Sequence, residues 1–373
     1  MQNITMAATC LLGLEGLAAN ELKFMGASEV RAENGRVLFS GDASILARAN
    51  LCLRTAERVQ ILLGSFRASS FEELFEGTKR LPFEEWIGSL DRFPVKGYSL
   101  HSTLHSVPDC QSIIKKAVVE RLKQSYRTDW FEETGPTRQI RFSILKDQVS
   151  IFLDTSGEGL HKRGYRPQSM EAPLKETLAA AMVTLARVRG YTNLYDPFCG
   201  SGTILIEGAL SALQIAPGLS RSFAAERWDC IPGEIWKQER TRAADAIRRD
   251  CDFEAFGSDI DEHALELTEK NMKRAGVEKR ISLRKADISE FTRFSERGTV
   301  ITNPPYGERL LDIRRAEELY RAMGRVFQKG RGWSYHIISP HENFEGLFGQ
   351  SADKRRKIYN GMIKCQVYQY FGA

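Results

Sequence analysis

Four short apolar runs in the second half of this chain each empty into a polar or acidic turn, and the order of those turns constrains the fold more than any other feature. Asn193 to Asp196 leads into Pro197-Phe198-Cys199-Gly200-Ser201-Gly202-Thr203. Phe253 to Ile260 ends in Ser258-Asp259-Ile260-Asp261, and Ile281 to Lys285 runs into Ala286-Asp287-Ile288. Thr299 to Thr302 empties into Asn303-Pro304-Pro305-Tyr306-Gly307. Strand-like runs alternating with helical stretches predict an α/β domain with a mainly parallel sheet, in which ligands gather at the C-terminal ends of the strands.

Each turn carries its own chemistry. Glycines at 200 and 202 let the backbone approach a ligand closely, and the free N–H groups of the helix predicted from Ile204 to Leu213 favour a carboxylate or phosphate. The loop is neither a GxGxxG dinucleotide fingerprint nor a GK[ST] phosphate loop. Asp259, at a strand end, can accept from both hydroxyls of a ribose, and Asp287 is placed by order to meet an adenine amino group. Asn303 and the Pro304 carbonyl form a rigid acceptor pair, because Pro304 and Pro305 fix φ and remove backbone donors. Such a pair can hold the hydrogens of an exocyclic base amine so that its lone pair points at an electrophile, and Tyr306 can stack on the base. Asp259 lies 57 positions after Gly202. Residues 214–250 must therefore form an excursion, whose Phe223, Trp228 and Trp236 amid Arg and Lys read as packing plus a substrate wall.

Ahead of this domain the chain changes character. The first 65 residues read as strand, helix, two strands around Asn34-Gly35 (a pair favoured in type I′ turns), helix and strand, which is a ferredoxin-like order. Residues 66–157 read as a second small α+β unit. It contains strands within Val95 to Leu104, Arg138 to Leu145 and Val149 to Leu153, and a helix after Pro108-Asp109 that carries Lys115, Lys116, Arg121 and Lys123. Residues 158–373 hold the linker and the catalytic domain. No apolar run reaches the roughly 18–20 residues that cross a bilayer, which predicts a soluble chain with no membrane partner. The start lacks a secretory pattern, so a cytoplasmic location is expected. Seven cysteines without a CxxC pair read as reduced thiols and not as a zinc knuckle. The net charge of +5 permits nucleic acid without establishing it.

DPFCGSGT, GSDID, KAD and NPPYGER, in that order, resemble the class I S-adenosylmethionine-dependent methyltransferases that act on exocyclic amines. VKGYSLHSTLHSVPDCQSIIKKAVVERL resembles the THUMP domain, an RNA-binding module. With the ferredoxin-like start, the whole chain resembles the THUMP-containing RNA guanine-N2 methyltransferases of the bacterial 23S rRNA branch. The fold so implied is a Rossmann-like class I methyltransferase domain preceded by α+β ferredoxin-like and THUMP domains.

The resemblance implies S-adenosyl-L-methionine as cofactor, surrounded by Asp196, Phe198, Cys199, Gly200, Ser201, Gly202 and Thr203 around its methionine part. Asp259 and Ile260 fall to its ribose side, and Asp287 and Ile288 to its adenine. The linker segments HKRGYR and APLKETLAAAM match family stretches lining the cofactor cleft, which adds Lys175 and Thr177. Asn303, Pro304, Pro305 and Tyr306 would be catalytic, and Asn303 would also line the cofactor. Lys115 and Lys116 would meet structured RNA, whereas Arg163, Tyr165 and Arg166 would contact RNA, close the site or serve the linker. No metal is expected, since His101 and His105 lack two further ligands nearby. Lys354 to Lys357 would touch phosphate or form a solvated loop. Competing readings are a tRNA guanine-N2 enzyme, an adenine-N6 methyltransferase, and an RNA-binding assembly factor without turnover.

Overall fold

The computed structural model describes residues 3–166, 174–306 and 313–372. In the first half, β1 (Ile4–Cys10), α1 (Glu15–Phe24), β2 (Ser28–Glu33), β3 (Arg36–Gly41), α2 (Ala43–Cys52) and β4 (Ala56–Arg67) give the ferredoxin-like order. They are followed by α3 (Phe71–Lys79), β5 (Val95–Leu100), α4 (Val107–Tyr126), β6 (Ile140–Leu145) and β7 (Gln148–Asp154). Helix α3 starts on a capping box, in which Ser70 accepts from the Glu73 N–H and Glu73 reaches back to the Ser70 N–H.

The two small units share one seven-stranded sheet, ordered β2-β3-β1-β4-β7-β6-β5. Strand β4 runs through the boundary expected at residue 65 and pairs with β1 on one side and β7 on the other. Strand alternation sends Met6, Ala8, Val37, Phe39, Val59, Ile61, Phe142 and Ile151 into a single core with the helices. The turns differ from expectation in one detail. At Asn34-Gly35 only Gly35 has positive φ (75°), so that turn is not type I′. Two positive φ values, the type I′ signature, occur instead at Lys146 (52°) and Asp147 (61°) between β6 and β7.

The second half contains α5 (Glu176–Leu185), β8 (Asn193–Asp196), α6 (Thr203–Ala212), α7 (Gly233–Asp245), β9 (Glu254–Asp259), α8 (Glu262–Ala275) and β10 (Ile281–Lys285). After these come β11 (Gly298–Thr302), α9 (Ile313–Val326), β12 (Trp333–Ser339), α10 (Phe344–Phe348), β13 (Lys354–Asn360) and β14 (Ile363–Phe371). The sheet order is β10-β9-β8-β11-β12-β14-β13. Pairing is parallel from β10 to β12, and β14 and β13 are antiparallel additions. The chain moves outward from β8 through β9 to β10, then returns to β11 on β8's other side. Strands β8 and β11 therefore form the switch point, where such sheets place their ligands.

The excursion over 214–250 is a bracket and not a substrate wall. Trp228 and Trp236 are 1% and 3% exposed, and both belong to the core of the first half, with Phe223 stacked on Trp236. Glu239 of α7 forms a bidentate pair with Arg48 of α2, its shorter contact 2.6 Å. The basic run Lys354–Lys357 is not a loop: it is the start of β13, with Lys354, Arg355 and Lys357 exposed, Arg356 donating to the Gly13 carbonyl and Arg355 paired with Glu345.

Candidate active site

The glycine loop after β8 owes its shape to left-handed backbone at Gly200 (φ 51°) and Gly202 (φ 76°). A Cβ on Gly202 would lie 2.5 Å from the Thr268 side chain, so packing as well as conformation requires glycine there. Around Gly200 a Cβ would meet nothing within 4 Å, which leaves space over that peptide. The loop is pinned from behind by α8: the Thr268 hydroxyl donates to the Gly200 carbonyl at 2.7 Å, and the Asn271 amide to the Ser201 carbonyl at 2.9 Å. Nothing in the sequence pointed to Thr268 or Asn271. They read only as polar positions on a helix more than sixty residues downstream.

Asp259 closes the loop from β9. Its carboxylate accepts from the Gly200 N–H at 2.9 Å and from its own turn at Asp261, and being partly exposed it keeps lone pairs for a diol. Ile260 beside it is 67% exposed, an apolar platform at a strand end. Asp287 at the end of β10 is exposed and held below the usual carboxylate range by the Ser289 hydroxyl and N–H. Ile288, by contrast, is 3% exposed and packs in the aromatic core, so its side chain is not presented at the strand ends.

The glycine loop and the proline elbow meet. Thr302, last residue of β11, donates through its hydroxyl to Asp196 Oδ1 at 2.7 Å, while the Phe198 N–H reaches the same oxygen at 3.2 Å. Asp196 is fully buried, and burial pushes its carboxyl up to about 7 against the opposing hydrogen bond from Thr302. Asp196 shapes both loops from beneath. Asn303 follows directly on that strand, with Pro304 buried behind it. The Tyr306 hydroxyl donates to the Asn303 amide oxygen, and its ring packs against the second-half core. The expected stacking face is thus turned inward here. Cys199 is buried, and desolvation raises its thiol far above the usual range, so it is a packing residue. Ser201 and Thr203 hydroxyls lie 3.2 Å apart at the start of α6.

Several linker residues lie elsewhere than expected. Arg163 and Tyr165 are 2% and 4% exposed and cannot touch RNA: both reach Glu207 of α6, at 3.4 and 3.0 Å, and Arg163 also donates to the Arg54 carbonyl. They join the two halves of the molecule. Arg166 lies at the cofactor loop, donating to Thr203 Oγ1 at 2.8 Å and to the Leu174 carbonyl, and pairing with Glu176 at 2.9 Å. Lys175 and Thr177 turn toward Glu57 of β4, which also accepts from His161. Despite burial, hydrogen bonds from His161 and Thr177 hold Glu57 at about 2. Thr177 is wholly buried, so its hydroxyl is committed to this junction. On α4, Lys115 is engaged by Glu133 at 2.6 Å and sits 3.4 Å from the centre of the Phe93 ring, whereas Lys116 is exposed. Pro167 to Pro173 and Gly307 to Asp312, which include part of the linker and the end of the elbow motif, lie outside the described residues. Among the described residues no cluster of His, Cys, Asp or Glu could hold a metal, and no helix is long and apolar enough to cross a membrane.

Comparison with known proteins decides what this pocket is. Residues 163–369 match the RMKL-like methyltransferase domain. The chain belongs to that family. Residues 5–60 match the RlmL ferredoxin-like domain and 68–154 the THUMP domain. This RMKL-like chain is 44% identical over its full length to "Putative RNA methyltransferase YpsC" of Bacillus subtilis, covering 97% of that protein. It is 32% identical to the ribosomal RNA large subunit methyltransferase K/L of Aeromonas salmonicida, over 97% of this chain but only 53% of that protein. Among solved structures it is similar to SMU.472, described as a putative methyltransferase complexed with SAH (TM-score 0.94, 38% identity, covering all of this chain and 99% of that one). It is also similar to a Listeria monocytogenes protein described as a predicted N6-adenine-specific DNA methylase (TM-score 0.94, 44% identity, 100% and 97% covered). S-adenosyl-L-methionine is therefore the methyl donor of this RMKL-like domain. The open space at Gly200, the exposed Ile260 and the unsatisfied lone pairs of Asp259 fit that molecule.

Proposed function

We propose that this protein transfers a methyl group from S-adenosylmethionine to the exocyclic N2 amine of a guanine in folded RNA, with 23S rRNA as the substrate. The observation that supports the reading most directly is the Thr302–Asp196 hydrogen bond, which ties the end of the strand leading into the acceptor elbow to the end of the strand leading into the glycine loop. The THUMP match and the rRNA methyltransferases among its relatives support RNA as the substrate.

The bound cofactor supplies a sulfonium methyl, and the chain supplies alignment. Asn303 Oδ1 and the Pro304 carbonyl accept the two amine hydrogens, so the nitrogen lone pair points along the line of attack. With the cofactor bound, this alignment would serve direct transfer of its methyl group to the nitrogen, the sulfur keeping the electron pair of the broken S–C bond and one amine proton passing to solvent. For the amide oxygen to receive the base, Tyr306 must leave it, which would also free its ring to stack. Since the chemistry needs the base outside a duplex, the guanine comes from a loop or is flipped out.

The test is transfer of labelled methyl groups to rRNA from a strain lacking the gene. Incorporation by the wild type and its loss in Asn303→Ala supports catalysis, whereas no incorporation by either leaves a binding protein.

A further inference from the structure

The basic run Lys354–Lys357 belongs to a hairpin that reaches past the end of the second sheet. Seven paired positions join β13 to β14, from Lys354 opposite Gln369 to Asn360 opposite Ile363. The chain reverses through Gly361 and Met362 alone, and Gly361 takes the left-handed conformation (φ 64°) that glycine adopts without strain. The base of the hairpin is braced: Arg356 donates to the Gly13 carbonyl at 2.8 Å, in the turn between β1 and α1, and Arg355 pairs with Glu345.

The tip stands at the same end of the sheet as the proline elbow. Thr302 of β11 lies opposite Ile337 of β12, and Ile337 lies opposite Tyr368 of the antiparallel β14. From Tyr368 back to Ile363 the strand runs five further residues, so the hairpin overshoots the last residue of β11 by roughly 17 Å, two strands away. The elbow rises beside this overhang. Tyr306 and Ile363 both pack on the core that contains Ile358 and Cys365, and the Asn360 side chain and the Cys365 thiol lie beside the Tyr306 hydroxyl.

Met362, at the apex, is 96% exposed, more than any other large apolar side chain among the described residues, and contributes nothing to a core. Strand alternation sets Lys357, Tyr359 and Lys364 on one face of the stem beneath it, Tyr359 and Lys364 being directly paired. Both lysines are exposed, Lys357 sits 5.5 Å from the centre of the Tyr359 ring, and among the described residues neither lysine has a carboxylate partner. An apolar apex on a basic stem, next to the grip for a base amine, suits a strand from which one base has been drawn out. The flanking phosphates meet the lysines, and the gap in the stack accepts an apolar side chain.

We propose that the β13–β14 hairpin presents the target guanine, with Met362 filling the place that the base vacates and Lys357 and Lys364 holding phosphates of the strand beside it. The inference rests on the proposed RNA substrate.

The test uses the full chain and 23S rRNA from a strain lacking the gene, with labelled methyl transfer followed at saturating S-adenosylmethionine. Met362→Ala is expected to lower kcat/KM for RNA at least tenfold, mainly through kcat, and Met362→Leu, which restores an apolar apex, to recover most of that loss. Lys357→Gln with Lys364→Gln should instead raise KM for RNA and flatten the plot of log affinity against log salt by about 1.4 to 1.8. Affinity for S-adenosylhomocysteine and the melting temperature should stay unchanged in these variants, because the side chains are exposed. The control, Phe24→Ala, removes the 93% exposed ring of α1 and should transfer as wild type does. A Met362→Ala variant as active as wild type, or a Leu variant as damaged as the Ala variant, would overturn the role of the tip. A loss confined to ribosomal particles and absent on naked rRNA would give the tip a protein partner and overturn it as well. A wild-type protein that methylates no RNA would overturn the substrate reading itself, and the hairpin's role with it.

Discussion

The hydroxyl of Tyr306 donates to the side-chain oxygen of Asn303, so two groups expected to grip the same base grip each other. Removing only the hydroxyl frees the acceptor and keeps the ring. Tyr306→Phe is therefore expected to hold kcat/KM within about threefold of wild type. Tyr306→Ala loses stacking worth on the order of 1 to 3 kcal/mol, a fall of roughly 5- to 150-fold. Steady-state kinetics on rRNA check both, and a Phe variant as damaged as the Ala variant would mean that the hydroxyl does more than latch.

Asp196 gives a pH signature. Its folded pKa, about 7, lies above the unfolded carboxyl value, so the folded state binds the proton more tightly and this group favours folding at low pH. That contribution is lost as pH rises from about 4 through 7. Asp196→Asn, neutral throughout, should gain melting temperature relative to wild type across that window and level off above it. A difference independent of pH between 4.5 and 8 would contradict the assignment.

Asp259 holds the Gly200 N–H and has lone pairs left for the ribose. Asp259→Ala should lower affinity for S-adenosylhomocysteine at least tenfold by calorimetry, with the melting temperature little changed. Undiminished affinity would remove Asp259 from the site.

Arg163 serves as a joint between the halves, since its guanidinium is buried against Glu207 and two backbone carbonyls. Breaking a buried pair from one side costs about 3 to 5 kcal/mol. Arg163→Ala should thus unfold at much lower denaturant, while the folded fraction binds RNA as wild type does. Weaker RNA binding without lost stability would return Arg163 to the RNA surface.

What the sequence made legible follows from locality. The strands at Asn193–Asp196 and Ile281–Lys285 fall where expected because a short apolar run ending in Gly, Asp or Pro specifies its own stop. The glycine loop was legible for the same reason. Thr268 and Asn271 were not, because their partners are carbonyls fixed only once α8 packs behind the loop. Glu57 was hidden likewise: its value comes from His161, Lys175 and Thr177, more than a hundred residues away. The linker arginines stayed open between RNA contact, closing the site and a linker role, because a cationic side chain suggests solvent or phosphate while Glu207, which draws Arg163 inward, sits unremarked in an apolar helix. The aromatic excursion was ambiguous until the Trp228 ring lay against Arg138 of the first half.

The central claim, that this crevice methylates guanine N2, is tested most directly by mass spectrometry of nucleosides. RNA from a strain lacking the gene, incubated with the wild-type protein and S-adenosylmethionine, should yield N2-methylguanosine at one position of 23S rRNA and none with Asn303→Ala. N6-methyladenosine in its place, or the mark on tRNA alone, would contradict the account.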